Sequence, residues 1–262
     1  MKTVWISALG DDERGRARVA AATAALKRYG LDARGHFWSE ANDKLAWRRA
    51  LEALREANAE LWLILATEAE MAKPAVRYGL SLMAASLRNA RGACFPVLVL
   101  WDGQAPAEDA LPLLLRPAAV LEQSSTSWPA KVVARINMPA KAAEPDYRLD
   151  VLGEERLGQW FEIGPRDGEW HGVVFGVSGD GAAIDFQAVG PKGALPRKTV
   201  LEYAQQGLKL QAGSREFSAW AVRNRLDATQ SYFVRVQGSP DAILFLPYAE
   251  DDEAVATVIA LV

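Results

Sequence analysis

Leu61-Trp62-Leu63-Ile64-Leu65 is an unbroken apolar run inside the stretch Ala59 to Thr67. It falls far short of the roughly 20 residues that cross a bilayer. A half-exposed surface strand would alternate apolar and polar residues, and this run does not. It therefore predicts a parallel strand covered by helices on both faces. Parallel neighbours are reached only through crossovers of about a dozen residues or more, usually helical. The flanking sequence must supply those crossovers.

It does. Val4 to Leu9 reads as a first strand, ended by Gly10 and the acidic turn Asp11-Asp12-Glu13. A helix from about Glu13 to Tyr29 follows, with Val19, Ala22, Leu26 and Tyr29 three or four apart and Gly30 as its terminator. Leu31 to Ser39 is a weaker second strand carrying His36, Phe37 and Trp38. The next helix, Lys44 to Ala57, can take Asn42 or Asp43 as its cap and turns Leu45, Trp47, Leu51 and Leu54 inward. Beyond the central strand, Pro74 suits the first turn of a helix that buries Val76, Leu80, Met83 and Leu87 and ends near Asn89. Phe95 to Trp101 and Ala118 to Leu121 read as a fourth and a fifth strand, and Pro129 to Ile136 as a last helix. The alternation predicts a doubly wound, parallel five-stranded α/β sheet over residues 1–138.

Residues 139–146, with Pro139 and Pro145 around Lys141 and Glu144, read as a linker. Residues 147–262 follow a different grammar. Gly158 to Ile163, Trp170 to Val177 and Ala183 to Val189 are strand-like and separated by the turns Pro165-Arg166-Asp167-Gly168 and Ser178-Gly179-Asp180-Gly181. Tyr232 to Val236 and Ile243 to Leu246 add two more. Short strands at this spacing predict an antiparallel meander in a β-rich α+β domain. Lys198 to Gln206 fits a short helix, Glu216 to Arg225 fits either state, and Asp252 to Val262 carries Val255, Val258, Ile259 and Val262 at helical spacing.

Composition excludes several function classes. The net charge of −3 gives no reason to expect a nucleic-acid partner or an anionic membrane. The first residues lack the long apolar core of a secretory signal, and no stretch is long and apolar enough to span a bilayer, so the expectation is a cytoplasmic protein. Cys94 is the only cysteine, which rules out an internal disulfide or a CxxC site. His36 and His171 are the only histidines, so no clustered histidine metal site can be drawn. Strand alternation groups His171 with Val173, Phe175 and Val177, which reads as a core histidine. Trp160, Trp170, Trp220, Phe161, Phe175 and Tyr232 read as core aromatics of a small β domain rather than a stacking platform. The run Gly176 to Gly181 lacks the GK[ST] ending of a phosphate loop, and neither a GxSxG elbow nor an HExxH helix occurs. Arg223-Asn224-Arg225 reads as a solvated basic face.

Over residues 1–138 the pattern resembles a TIR (Toll/interleukin-1 receptor-like) domain, a flavodoxin-like fold. Val4-Trp5-Ile6-Ser7 with acids just after carries the resemblance, as do Leu61 to Ala66 and Phe95-Pro96-Val97-Leu98-Val99 followed by Leu111 to Leu114. The resemblance implies one of two activities: assembly with other such domains, or cleavage of nicotinamide from NAD. In the enzymes a glutamate lies on the helix after the third strand, shortly beyond a Ser-x-Trp-Cys type motif. Here Arg77 falls at the glutamate's place, and the serine, tryptophan and cysteine are absent from Met71 to Tyr78. Glu68 and Glu70, just upstream, are the candidate acids, since ligands of open α/β sheets bind beyond the carboxyl ends of the strands. Ser7, Asp11 and Arg77 are the candidate ligand contacts, with NAD as a possible ligand and no cofactor otherwise expected. The expectation is thus an interaction or signalling protein that pairs with a protein partner or with itself. The alternative is a hydrolase or transferase acting on a nucleotide-type substrate.

Overall fold

The computed structural model describes residues 1–41, 45–107, 109–154, 156–248 and 255–262. The chain divides into two compact units, Met1–Ala143 and Glu144–Val262.

In the first unit, strands β1 (Lys2–Ala8), β2 (Leu31–Phe37), β3 (Leu61–Ala66), β4 (Val97–Trp101) and β5 (Ala119–Glu122) form one sheet in the order β2-β1-β3-β4-β5. Every pairing in it is parallel. This is the order of flavodoxin-like doubly wound sheets. The crossovers are α1 (Glu13–Arg28), α2 (Ala46–Glu56), the single turn α3 (Glu68–Met71), α4 (Pro74–Arg91), a 3-10 turn at Leu113–Leu115, and α5 (Trp128–Asn137), which follows β5. All six residues of β3 are fully buried. Leu61, Leu63 and Leu65 pack with Val4, Ile6, Leu98 and Leu100 against Ala22 and Leu26 of α1 and Val132 and Ile136 of α5. Trp62, Ile64 and Ala66 alternate to the other face, where α2 and α4 pack against each other. The apolar run is continuous because both of its faces are interior. Asn42 and Asp43, the expected caps of the second helix, lie outside the described residues.

The second unit is a β-sandwich. One sheet runs β10 (Ala183–Pro191), β14 (Gln230–Gln237), β7 (Gly158–Pro165), β6 (Tyr147–Glu154). The other runs β11 (Gln205–Ala212), β12 (Arg215–Val222), β9 (Val173–Ser178), β15 (Ala242–Pro247), β16 (Thr257–Ala260). The short pair β8 (Glu169–Trp170) and β13 (Leu226–Asp227) lies beside them. Phe161 of β7 meets Phe175 of β9 at 5.6 Å between ring centres, and Tyr147 of β6 meets Phe245 of β15 edge-on at 4.8 Å. These contacts hold the sheets face to face.

Three expectations for this half change. The order is not a meander, because β7 pairs with the distant β14 and β9 lies between β12 and β15. No helix occurs among its described residues: 198–204 are irregular, and Thr257–Ala260 is an edge strand paired with Ala242–Phe245. There Val258 is exposed while Ile259 and Leu261 are buried, the alternation of a strand rather than the face of a helix. Glu216 to Val222, open from sequence, is strand.

Candidate functional site

The carboxyl ends of β1, β3 and β4 meet at a shallow cleft of about 410 Å³, walled by Arg14, Thr67, Glu68, Trp101 and Asp102. Local sequence builds each wall. Asp12 caps α1 by accepting the Gly15 amide at 2.7 Å, which fixes the turn after β1. Thr67 and Glu70 form a reciprocal capping box on α3: the Glu70 amide donates to Thr67 Oγ1 (3.3 Å) and the Thr67 amide to Glu70 Oε2 (2.8 Å).

Glu70 is engaged a second time. Nη1 of Arg18, a buried residue of α1, reaches Oε1 at 3.1 Å and Oε2 at 3.2 Å. Gly10 in the turn after β1 allows this, since a Cβ there would collide with Glu70 Oε1. Both carboxylate oxygens are thus committed to holding α1 and α3 against the sheet. As a candidate catalytic acid Glu70 is corrected to a clasp.

Glu68 is exposed on the cleft wall, and Asp102 beside it is paired with Arg14 at 2.8 Å. Ser7 is fully buried and its hydroxyl accepts the Trp62 indole N–H at 2.8 Å, so it lines no cleft and is corrected to a core residue. Asp11 is exposed and paired with Arg16 at 3.1 Å. Arg77 is half-buried on α4 and donates to the Ala110 carbonyl at 2.6 Å. Burial, and then the charge of Arg116, lower its pKa, and Asp109 opposes them. Of the five sequence candidates, only Glu68 is both exposed and on the cleft wall.

No protein-family model matches the chain, and no curated protein does. Solved structures similar to it include a two-domain esterase active on acetylated mannans, at 8% identity over 99% of this chain and 89% of that one, with a TM-score of 0.29. A likeness of that size assigns nothing to this chain.

The histidines fall out differently from their expectation. His171 is exposed, between β8 and β9, with Nε2 4.0 Å from Glu169 Oε1. Gly172, at φ +121°, breaks the strand there and with it the alternation that placed His171 in the core. His36 instead is largely enclosed. Its Nδ1 accepts the Trp5 indole N–H at 3.1 Å, and its ring lies 5.7 Å from Trp5 and 5.8 Å from Trp38. Burial lowers its pKa from 6.5 to about 4.

Sequence reasoning missed the polar node of the second unit. Arg148 is buried and donates to the carbonyls of Pro165, Ala228 (2.9 Å) and Gln230 (2.7 Å) and to Ser231 Oγ (3.1 Å). Ser231 donates in turn to Glu162 at 2.8 Å, and the Gly193 amide donates to the same carboxylate at 2.8 Å. Burial pushes the Glu162 carboxyl up, against the hydrogen bonds from Gly193 and Ser231. The signal was a lone charge in the apolar run Trp160-Phe161-Glu162-Ile163. Arg223-Asn224-Arg225 is likewise not simply solvated. Arg223 stacks on Tyr248 at 3.8 Å, Arg225 pairs with Glu169, and the buried Asn224 bonds Glu202 and Val200 at 2.9 Å each. Among the described residues no group of three or more His, Cys, Asp or Glu could hold a metal ion, and no helix is long and apolar enough to cross a membrane.

Proposed function

We propose that the protein is a two-domain interaction or signalling protein, with a TIR-like first unit as its assembly element and the β-sandwich as sensor or effector. The observation that carries this reading is the commitment of Glu70 to Arg18 and to the helix cap. Cleavage of nicotinamide from NAD passes through an oxocarbenium-like state that a nearby carboxylate stabilises and a cation does not. At this strand end the inward-facing acid is already neutralised, and Arg77 stands where the family's enzymes carry glutamate. This arrangement supports action by contact over turnover.

The test is incubation of the purified chain with NAD, reading free nicotinamide, beside light scattering over a range of protein concentrations. No nicotinamide and a mass that rises with concentration, or with an added protein partner, are expected. One feature favours the enzymatic alternative: Glu68 stands exposed on the cleft wall with Asp102. Steady turnover that Glu68→Gln abolishes would replace the assembly reading with the hydrolase.

A further inference from the structure

A second cavity of the first unit, about 140 Å³, lies at the opposite edge of the sheet, where β4 and β5 begin and α4 and α5 end. Its apolar walls include Leu87, Phe95 and Leu115. Arg88, Arg135 and Lys141 line it too, and among the described residues no aspartate or glutamate does. We propose that it is a binding site for a small monocarboxylate with an apolar body, such as an aryl carboxylate.

Size and charge carry the inference independently. An apolar cavity of about 150 Å³ is large enough to take a benzene ring. The positive charge has a competing explanation, because arginines in the last turn of a helix complement its dipole, and Arg88 and Arg135 occupy such turns. Each helix end presents only about half a negative charge, however, so two ends balance roughly one of the three cations. Arg88 donates to the Leu114 carbonyl at 3.2 Å. Lys141 belongs to no helix, and Nε of Arg135 is buried with no acceptor among the described residues. A carboxylate in the cavity supplies the anion that these cations lack, and its charge-assisted hydrogen bonds are the strong kind. The site is separate from the cleft at the carboxyl ends of the strands, so this inference does not depend on whether the first unit assembles or catalyses.

Cys94 makes the site readable. It is exposed, lines the cavity, and is the only cysteine in the chain. The experiment alkylates Cys94 of the full-length protein with neutral iodoacetamide in the presence of benzoate or of benzamide, its uncharged near-isostere. For so small a ligand the dissociation constant should be of the order of a millimolar. At about ten times that concentration roughly a tenth of the cavities stay open, so benzoate should slow alkylation about tenfold. Benzamide at the same concentration should leave the rate within about twofold, because it lacks the charge that the cations select. Arg135→Gln should weaken the protection by benzoate about tenfold or more. Lys141→Gln, at an exposed position, should weaken it measurably and keeps the test decisive if the Arg135 variant fails to fold. Equal protection by benzamide, no protection by benzoate, or full protection in a folded Lys141→Gln protein each overturns the proposal.

Discussion

Arg18 and Glu70 are joined across 52 positions of sequence by one guanidinium nitrogen lying 3.1 and 3.2 Å from the two carboxylate oxygens. The side chains are only 6% and 17% exposed, so this is a buried pair rather than a surface one. Removing one partner of such a pair costs about 3–5 kcal/mol, because the other charge is left uncompensated. Glu70→Ala should cost that much, since it strands a buried arginine whose Nε and Nη2 already lack partners among the described residues and also breaks the α3 capping box. Arg18→Met should cost less, because Glu70 keeps the Thr67 amide. Urea unfolding of both singles and the double variant checks this. The double should lose clearly less than the sum, and strict additivity would mean the pair contributes nothing.

Ile64 in β3 is fully buried, on the face opposite Leu63 and Leu65. Ile64→Asp would place an unpaired carboxylate in that layer, a cost of several kcal/mol against a total stability of about 5–15. The variant should be insoluble, or should lack a cooperative thermal transition of the first unit. A soluble variant that melts within a few degrees of the parent would contradict the burial of both faces.

Residues 139–144 are without helix or strand and mostly exposed, and Lys141 among them is a trypsin site followed by alanine. Each unit has its own core, so brief digestion of the folded protein should cut there first. Two fragments, ending near Lys141 and beginning near Ala142, should each keep a cooperative melting transition. First cleavage inside β3 or β9 would contradict the division into units.

The parallel sheet was legible because its signal is local. A five-residue apolar run and helices with inward residues three and four apart leave few arrangements, and crossover handedness removes most of those. The pairing of β7 with β14 was not legible, since nothing local in Tyr232 to Val236 names a partner about 70 residues upstream. Val255 to Val262 misled because its apolar residues include the exposed Val255 and Val258, and so short a run does not fix a period. The site was read only in part. Glu68 and Glu70 were placed correctly at a strand end, but that Glu70 is consumed depends on Arg18, which sits on α1 and looks like any surface arginine in sequence. Ser7 was a candidate ligand contact in the sequence. Here the Trp62 indole needs its hydroxyl instead.

His36 gives the last prediction. Its pKa falls from 6.5 to about 4 in the folded chain because burial among Trp5 and Trp38 disfavours the imidazolium. Between those two values the unfolded chain binds a proton that the folded chain refuses, so stability must fall as pH drops from about 6.5 to about 4. The shift corresponds to a loss of up to about 3 kcal/mol, complete below pH about 4 and absent above about 7. Carboxylates titrate in part of the same window, so the wild-type curve alone does not isolate the effect. His36→Gln removes the titrating group while keeping an oxygen that can accept the Trp5 N–H. The difference in unfolding free energy between the two proteins should therefore move in the variant's favour as pH is lowered from 7 to 4.5. A difference that stays flat over that range would mean that His36 titrates normally and that its ring is open to water.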